Sequence, residues 1–416
     1  MDQSKRSYWL LSGAFFSFFL CWSFSFSLFP IWLSQAVGLS GEDIGVIFSV
    51  GAVAALFIMP CYGYLQDKLG LRKHLLLFVA AAHIGSGPFL IYVYGPNLAE
   101  NLLPTAVLGG VYFGIAFGAG VGALETYIER VSRFSGFEFG KARMWGSLGW
   151  AAATFLAGRL FNIDPNINFV LASFSAIVFF VLVALVKPAV DAETIAHENE
   201  DAAHLKLSDA FALLADRKFW ALATFVMGVS CIYTVYDQQF PVYFSSLFPT
   251  LEKGNEMFGY LNSFQVFLEA GGMFLAPFLV NRIGAKNGLV LSGVVMALRV
   301  IGSGYSDGAI EISIMKLLHA VELPIMLVSL FKYISATFDS HLSATIYIVG
   351  FQFMTQVAAS GLSIVAGMMY DSLGFSTSYK ILGFIVAFFV VVSWFVLTND
   401  KTAVDESVVV EPETVI

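Results

Sequence analysis

Gly63-Tyr-Leu-Gln-Asp67-Lys68-Leu-Gly70-Leu-Arg72-Lys73 and, much later in the chain, Asn281-Arg282-Ile-Gly284-Ala-Lys286 decide the architecture. In each, a polar residue is followed by a base and, two places on, by a glycine. Each stretch also stands between two long apolar runs. One motif written twice in the same setting marks a duplicated chain, and its place between apolar runs marks a short connection joining helix ends. We read it as a hinge or latch at those ends, with Gly63, Asp67, Lys68 and Gly70 as its positions, and not as a substrate contact.

Working outward, 58% of the 416 residues are hydrophobic and only 12% are charged. That balance cannot clothe a soluble surface. The apolar excess, with 42 Phe, runs through the whole chain and not through one terminal anchor, so lipid must cover the protein. The stretch from Tyr8 to Leu33 is too long and too aromatic for a cleaved leader, and it is expected to be retained. At about 20 apolar residues per crossing, spans fall near 8–34, 43–65, 74–95, 104–131, 141–163, 166–187, 217–244, 256–280, 288–305, 309–334, 343–369 and 376–397. The expected fold is an all-α polytopic membrane protein of twelve transmembrane helices in two six-helix halves. The halves are residues 1–187 and 217–399, with a polar linker at 188–216 and a tail at 400–416.

Lys and Arg in the short loops fall on one side: Lys5 and Arg6, then Lys68, Arg72 and Lys73, then Arg130, Arg133 and Lys141, then Arg282 and Lys286. This bias places both termini in the cytoplasm. The net charge of −8 comes largely from solvated connectors, Asp191 to Asp216 and Asp400 to Glu413, and carries no sign of a nucleic-acid partner. Cys21, Cys61 and Cys231 are odd in number, far apart and each inside an apolar run, which speaks against a disulfide or a metal site.

Charges inside the spans are expensive, at roughly 2.5–3.5 kcal/mol each on insertion scales, so each implies a partner or a wet cavity. Glu125, Asp237, Glu269 and Glu322 stand against Arg143, Arg299 and Lys316. Four acids against three bases leave one carboxylate without a fixed cation, a group suited to taking up and releasing a proton. In the tenth span, Lys316-Leu-Leu-His319-Ala-Val-Glu322 brings His319 and Glu322 together by i, i+3 spacing. His319 alone would equally suit a packing role; its carboxylate neighbour favours function. In the seventh span, Tyr233 and Asp237 share a face, and Lys316 is the natural cation for Asp237 in a structural ion pair. Gln265 and Glu269 share a face of the eighth. Arg143, Ser147 and Trp150 lie along one face of the fifth, two helical turns from end to end. Carbohydrate sites combine charged or amide hydrogen-bonding groups with a stacking aromatic, and Glu125, Arg143 and Trp150 offer that combination. A membrane tryptophan is otherwise more often core or interface.

Duplicated halves with a site between them resemble the major facilitator layout. More specifically, the chain resembles the oligosaccharide:proton symporters, the group of the lactose, raffinose and sucrose permeases. The resemblance rests on Phe29-Pro-Ile-Trp32-Leu, Asp67-Lys-Leu-Gly-Leu-Arg-Lys73, Phe137-Glu-Phe-Gly-Lys-Ala-Arg143, Tyr236-Asp-Gln-Gln239, Asn281-Arg-Ile-Gly-Ala-Lys-Asn287 and Lys316-Leu-Leu-His-Ala-Val-Glu322. It implies that Glu125 and Arg143 bind sugar and Trp150 stacks on its ring. It also implies that Arg299 and Glu322 handle the proton, and that Tyr233 and His319 link the two tasks. Thr234 and Thr355 stand where lactose permease carries an Asp–Lys pair, and joint loss avoids a stranded charge. Val266 replaces that protein's eighth-span Glu, and the carboxylate returns as Glu269. The run Gly-Tyr-Leu-Asn-Ser-Phe-Gln265-Val-Phe-Leu-Glu269-Ala looks more like sucrose permease, whereas Gly120 to Arg133 looks more like the lactose and raffinose members.

The expected activity is disaccharide:proton symport by alternating access in a bacterial inner membrane, with sucrose favoured over lactose, melibiose, raffinose or maltose. Gln265, Glu269, Ser147 and His319 complete the expected sugar site. The proton is the coupling ion, no cofactor or metal is expected, and the chain is expected to act as a monomer in lipid. An efflux antiporter and a transport-dead sugar sensor are the rival readings. No nucleophile with its base, metal cluster or phosphate loop suggests an enzyme.

Overall fold

The computed structural model describes residues 3–69, 72–186, 213–338 and 342–399. The linker 188–216 lies mostly, and the tail 400–416 wholly, outside them. Ten apolar segments are long enough to cross a membrane. They comprise α1 (Ser4–Val37), α2 (Gly41–Gln66), α3 (His74–Leu98), α4 (Leu102–Ser135), α6 (Pro165–Leu185), α7 (Arg217–Ser246), α8 (Leu251–Ile283), α9 (Ala285–Tyr305), α10 (Ala309–Thr337) and the segment Tyr347–Val396. α5 (Phe139–Ile163) matches them in length but carries Lys141, Arg143 and Arg159.

The last segment is two helices. At Gly374 φ is +75°, a conformation that an L side chain rarely adopts, and the chain reverses there without a loop. α11 (347–373) and α12 (375–396) bring the crossings to twelve among the described residues. The chain is all-helical with no strand among those residues, six crossings before the linker and six after it. The second copy of the repeated motif ends α8 at Gly284, φ +87°, so its glycine is needed for the turn. In the first copy, Gly63 faces open space. Gly70 lies outside the described residues, as do the side chains of Asp67 and Lys68. Lys73, which closes that copy, donates to the carbonyls of Ala184 and Val186 at 2.5 and 3.1 Å, tying α3 to the end of α6.

Several helices are irregular where they meet. α10 breaks at Leu318, between Lys316 and His319. Pro324 follows within two turns and withholds an N–H, so the Ala320 carbonyl has no proline donor below it. α1, α3, α4, α7 and α11 each contain a π-helical turn, which re-aims the side chains that follow it.

The two halves touch along α2–α11 and α5–α8, on the face opposite the basic loops. Backbones meet there: a Cβ on Gly158 would collide with the Asn255 carbonyl, and one on Gly367 with that of Gly41. Polar groups fix the seam. Gln35 and Asn255 exchange amide hydrogen bonds at 3.2 and 2.9 Å, and Gln239 donates to the Gly41 carbonyl at 2.8 Å. The Asp371 carboxylate accepts from the amides of Gly41 and Glu42 at 2.9 and 2.8 Å, capping α2 from the other half. Arg159 pairs with Glu256 at 2.7 Å. On the face of the basic loops the halves part around a cavity of about 610 Å³.

Candidate functional site

The cavity is walled by Glu125, Glu129, Arg133 and Phe139 from the first half and by Phe331, Ile334, Ser335 and Tyr347 from the second. Its size is that of an ordinary small-molecule site. From its inner wall Glu125 of α4 meets Arg143 of α5, Oε1 to Nε 2.6 Å, and each is about one-third exposed. A pair so exposed keeps hydrogen-bonding capacity free for a ligand. The Arg143 guanidinium lies 4.5 Å from the Phe19 ring centre. Phe19 meets Trp22 at 5.6 Å, and Trp22 meets Trp150 edge-on at 5.7 Å. Arg143 and Trp150 are thus joined by an aromatic chain on α1 that spacing along α5 did not reveal. Ser147 lies half-buried between them. Ser23 anchors this arrangement by donating to the Trp150 carbonyl at 3.0 Å.

The second half holds a buried charged centre. Arg299 of α9 is fully excluded from solvent. Its Nη2 lies 2.8 Å from Glu322 Oε1, its Nε donates to Oε2 at 3.1 Å, and its Nη1 reaches Asp237 Oδ1 at 3.5 Å. Lys316 pairs with the same Asp237 oxygen at 2.7 Å. Asp237 is therefore shared between two cations, where the sequence suggested Lys316 alone. His319 Nδ1 lies 3.1 Å from Glu322 Oε1. Tyr233 stacks on the imidazole at 4.7 Å, with its hydroxyl 3.2 Å from Nε2. Glu269 Oε2 approaches the same nitrogen at 3.9 Å. The break in α10 aims Lys316 toward α7 and His319 toward α8 from adjacent turns.

Of the four acids, Glu125, Asp237 and Glu322 each touch an arginine or lysine. Among the described residues the one basic group within ion-pair distance of Glu269 is His319. Among the described residues the carboxylate without an arginine or lysine is therefore Glu269. The resemblance separately implies that Glu322 handles the proton, and the count of acids and bases left open which acid stands without such a cation. The reason is tertiary: α9 delivers Arg299 directly to Glu322. His319 stands between the two acids and touches both.

Glu269 also lies within Coulombic reach of Arg143 in the opposite half. Gln265, one turn before Glu269, is 3% exposed, and its Oε1 has no partner among the described residues. Thr355 turns back on its own helix, donating to the Phe351 carbonyl at 2.7 Å, and Val266 is half-buried. Among the described residues no cluster of three or more His, Cys, Asp or Glu could hold a metal. The cysteines are free, with Cys61 exposed. Reading the sequence missed Phe19, Phe331, Tyr347 and Asp371. The first three are ordinary members of aromatic-rich spans, and Asp371 reads as a loop acid, so nothing local distinguishes them.

The family model described as LacY proton/sugar symporter matches residues 1–409. The chain is 41% identical to the raffinose permease of Escherichia coli over 407 residues, 97% of this chain and 96% of that protein. It is 41% identical to the melibiose permease of Enterobacter cloacae subsp. cloacae, over 95% of this chain and 94% of that one. It is 39% identical to the sucrose permease of Escherichia coli, covering 95% of each. Among solved structures, the nucleoside transporter NupG superposes with a TM-score of 0.77 at 15% identity, over 95% of this chain and 99% of that one. The D-xylose-proton symporter gives 0.68 at 16%, over 96% and 98%. These two bear on the fold alone. The sequence relatives are permeases and not enzymes, and with twelve crossings, a cavity between the halves and a buried charged centre in the second half, this chain belongs to the LacY family of proton/sugar symporters.

Proposed function

We propose that the protein imports a disaccharide together with one proton across a bacterial cytoplasmic membrane, by alternating access between halves 1–187 and 217–399. The reading gives sucrose preference as substrate. It has the termini and the basic loops inside, the proton as the only coupling ion, no cofactor, and a single chain as the working unit. The arrangement open on the basic face is then the inward-facing one, and the seam along α2–α11 and α5–α8 is the closed outer gate.

The observation that carries this reading is the position of His319. It touches Glu322, which is sealed in the charged centre, and Glu269, which is the more exposed of the two acids. In this reading Glu125, Arg143, Ser147, Trp150, Gln265 and Glu269 hold the sugar. The proton resides on Glu322. Taking it up weakens the hold of Glu322 on Arg299, and the change reaches Glu269 through His319 and Tyr233. The centre supports this by its charge: with His319 neutral, Asp237, Glu269 and Glu322 against Arg299 and Lys316 leave one excess negative charge, which one proton cancels. A neutral centre is the state in which reorientation through lipid costs least.

The preference for sucrose rests on the run from Gln265 to Glu269. Overall identity does not separate the relatives, since permeases named for raffinose, melibiose, lactose and sucrose that match 90% or more of this chain lie between 39% and 43%. The test is uptake of labelled sucrose, lactose, melibiose, maltose and raffinose into cells expressing the protein, with and without a protonophore. Sucrose accumulation abolished by the protonophore, with alkalinisation of the medium on adding sugar, is the expected result. Accumulation of a different member corrects the substrate. Acidification on adding sugar would replace symport with an efflux antiporter, and binding without accumulation would indicate a sensor.

A further inference from the structure

Three rings of the second half stand in a row beside the cavity. Phe331 of α10 stacks on Tyr347 of α11, ring centres 4.8 Å apart and planes 26° from parallel. Tyr347 stacks in turn on Phe351 at 5.5 Å and 24°, both within the π-helical turn Tyr347–Phe353. Such turns are frequent at functional sites. Phe331 ends the row: it is 51% exposed, and no other ring packs on it among the described residues. An exposed aromatic side chain of a membrane protein ordinarily faces lipid. Phe331 and Tyr347 instead line a space shared with Glu125, Glu129, Arg133 and Ser335. Charges are costly in hydrocarbon, so this space holds water, and the exposed ring of Phe331 meets it.

On α4, Glu125, Glu129 and Arg133 follow at four-residue intervals along one face, about 12 Å from end to end. Glu129 pairs with Arg133, which is 67% exposed. On α10, the Ser335 hydroxyl donates to the Phe331 carbonyl at 2.9 Å and keeps its oxygen as an acceptor. Tyr347 lies within Coulombic reach of Glu125 across the gap. Of the residues assigned above to the sugar, Glu125 alone lines this cavity. α4 and α10 both run toward the basic loops, so Glu129, Arg133 and Ser335 lie nearer that face than Glu125 and Phe331 do. Carboxylate, guanidinium and hydroxyl groups opposite an uncovered aromatic face are what a sugar ring requires, polar groups for its hydroxyls and a flat apolar surface for its C–H face. We infer that Phe331, backed by Tyr347, is the stacking platform of a second sugar subsite at the inner mouth, with Glu129 and Arg133 as its hydrogen-bonding groups. Sugar released from Glu125 and Arg143 is held there on its way out. With the seams α2–α11 and α5–α8 closed, the platform meets sugar from the basic face alone.

This inference rests on the import reading above, and the experiment separates the two. Phe331→Leu keeps apolar bulk and removes the ring, whereas Phe331→Trp keeps a ring. Because Phe331 is half-exposed, neither change opens a buried cavity. Initial entry of radiolabelled sucrose, and of the other four sugars of the panel, is measured into right-side-out and inside-out membrane vesicles. A protonophore is present throughout, so that coupling does not bear on the result. The quantity read is the half-saturating concentration at the basic face divided by that at the sealed face. Neither concentration depends on how much protein is inserted, so a poorly folding variant lowers the rate and not the ratio. For Phe331→Leu the ratio should rise about three- to tenfold, the scale of one lost aromatic stacking contact. For Phe331→Trp it should stay within about twofold of wild type. An unchanged ratio in Phe331→Leu would overturn the subsite. So would an equal rise in both variants, which would make fit at position 331, and not stacking, the cause. No saturable entry of any of the five sugars into wild-type vesicles would instead defeat the import reading.

Discussion

The two halves carry their membrane charges differently. In the first, Glu125 and Arg143 form a single pair, about one-third exposed at a cavity wall and backed by Phe19. In the second, Asp237, Arg299, Lys316, His319 and Glu322 interlock, and Arg299 is fully excluded from solvent. An exposed pair contributes little to stability because water screens it, but it leaves hydrogen-bonding groups for a ligand. A buried network holds its members at fixed ionisation until one charge changes, and then several partners must respond together. Duplicated halves have thus diverged, one keeping a part-exposed ion pair and the other a buried charge network, which the proposed mechanism uses as sugar contact and proton site.

The sharpest way to break this contrast is Arg299→Ala. It leaves Glu322 and Asp237 short of a cation in a buried site, a loss of about 3–5 kcal/mol. Detergent-solubilised variant should unfold at clearly lower temperature and transport nothing; wild-type thermal stability would show that the centre is not electrostatically strained by the loss. Glu322→Gln comes next. It mimics the protonated acid, so uphill accumulation should fall by about a hundredfold or more, the scale of a lost proton-transfer group. Equilibrium exchange should persist, and unaltered accumulation would remove Glu322 from the proton path.

Arg143→Lys tests the exposed side of the comparison. Losing the planar fork should weaken sugar binding by about tenfold, read as protection of Trp fluorescence or as apparent affinity in exchange. Stability should change by less than about 1 kcal/mol, because both partners are screened by solvent. A large fall in melting temperature would mean that the two halves do not differ as argued. Asp371→Asn is the mildest. It weakens one cap at the N-terminus of α2 on the seam, so the outward-facing population should rise about twofold to fivefold. Alkylation of a cysteine placed beneath the seam, by a reagent added from that face, would register the shift.

How far the sequence could be read depended on whether a signal was local. Helix number followed from apolar length, and the repeat motif divided the chain because its glycine ends a helix by backbone geometry, seen at Gly284. His319 and Glu322 could be paired from i, i+3 spacing because one helix fixes their distance. Across helices the reading was thinner. Lys316 could be matched to Asp237 by sign, but the second hold of Arg299 on Asp237 was not legible, nor was the aromatic chain from Arg143 through Phe19 and Trp22 to Trp150. Those contacts depend on how helices rotate and lean against each other, and in lipid any apolar face is a permissible outer face.

By itself, then, the sequence determined that lipid surrounds this chain, that it crosses twelve times in two related halves, and which ionisable side chains must share a sheltered place. Burial of a charge in hydrocarbon is costly enough to announce itself wherever it occurs. Only the tertiary structure decided which acid is left without a strong cation, and which face is sealed and which open. These outcomes turn on ångström-scale approaches between helices far apart in the chain, where small residues such as Gly158 and Gly367 set how closely the halves can meet.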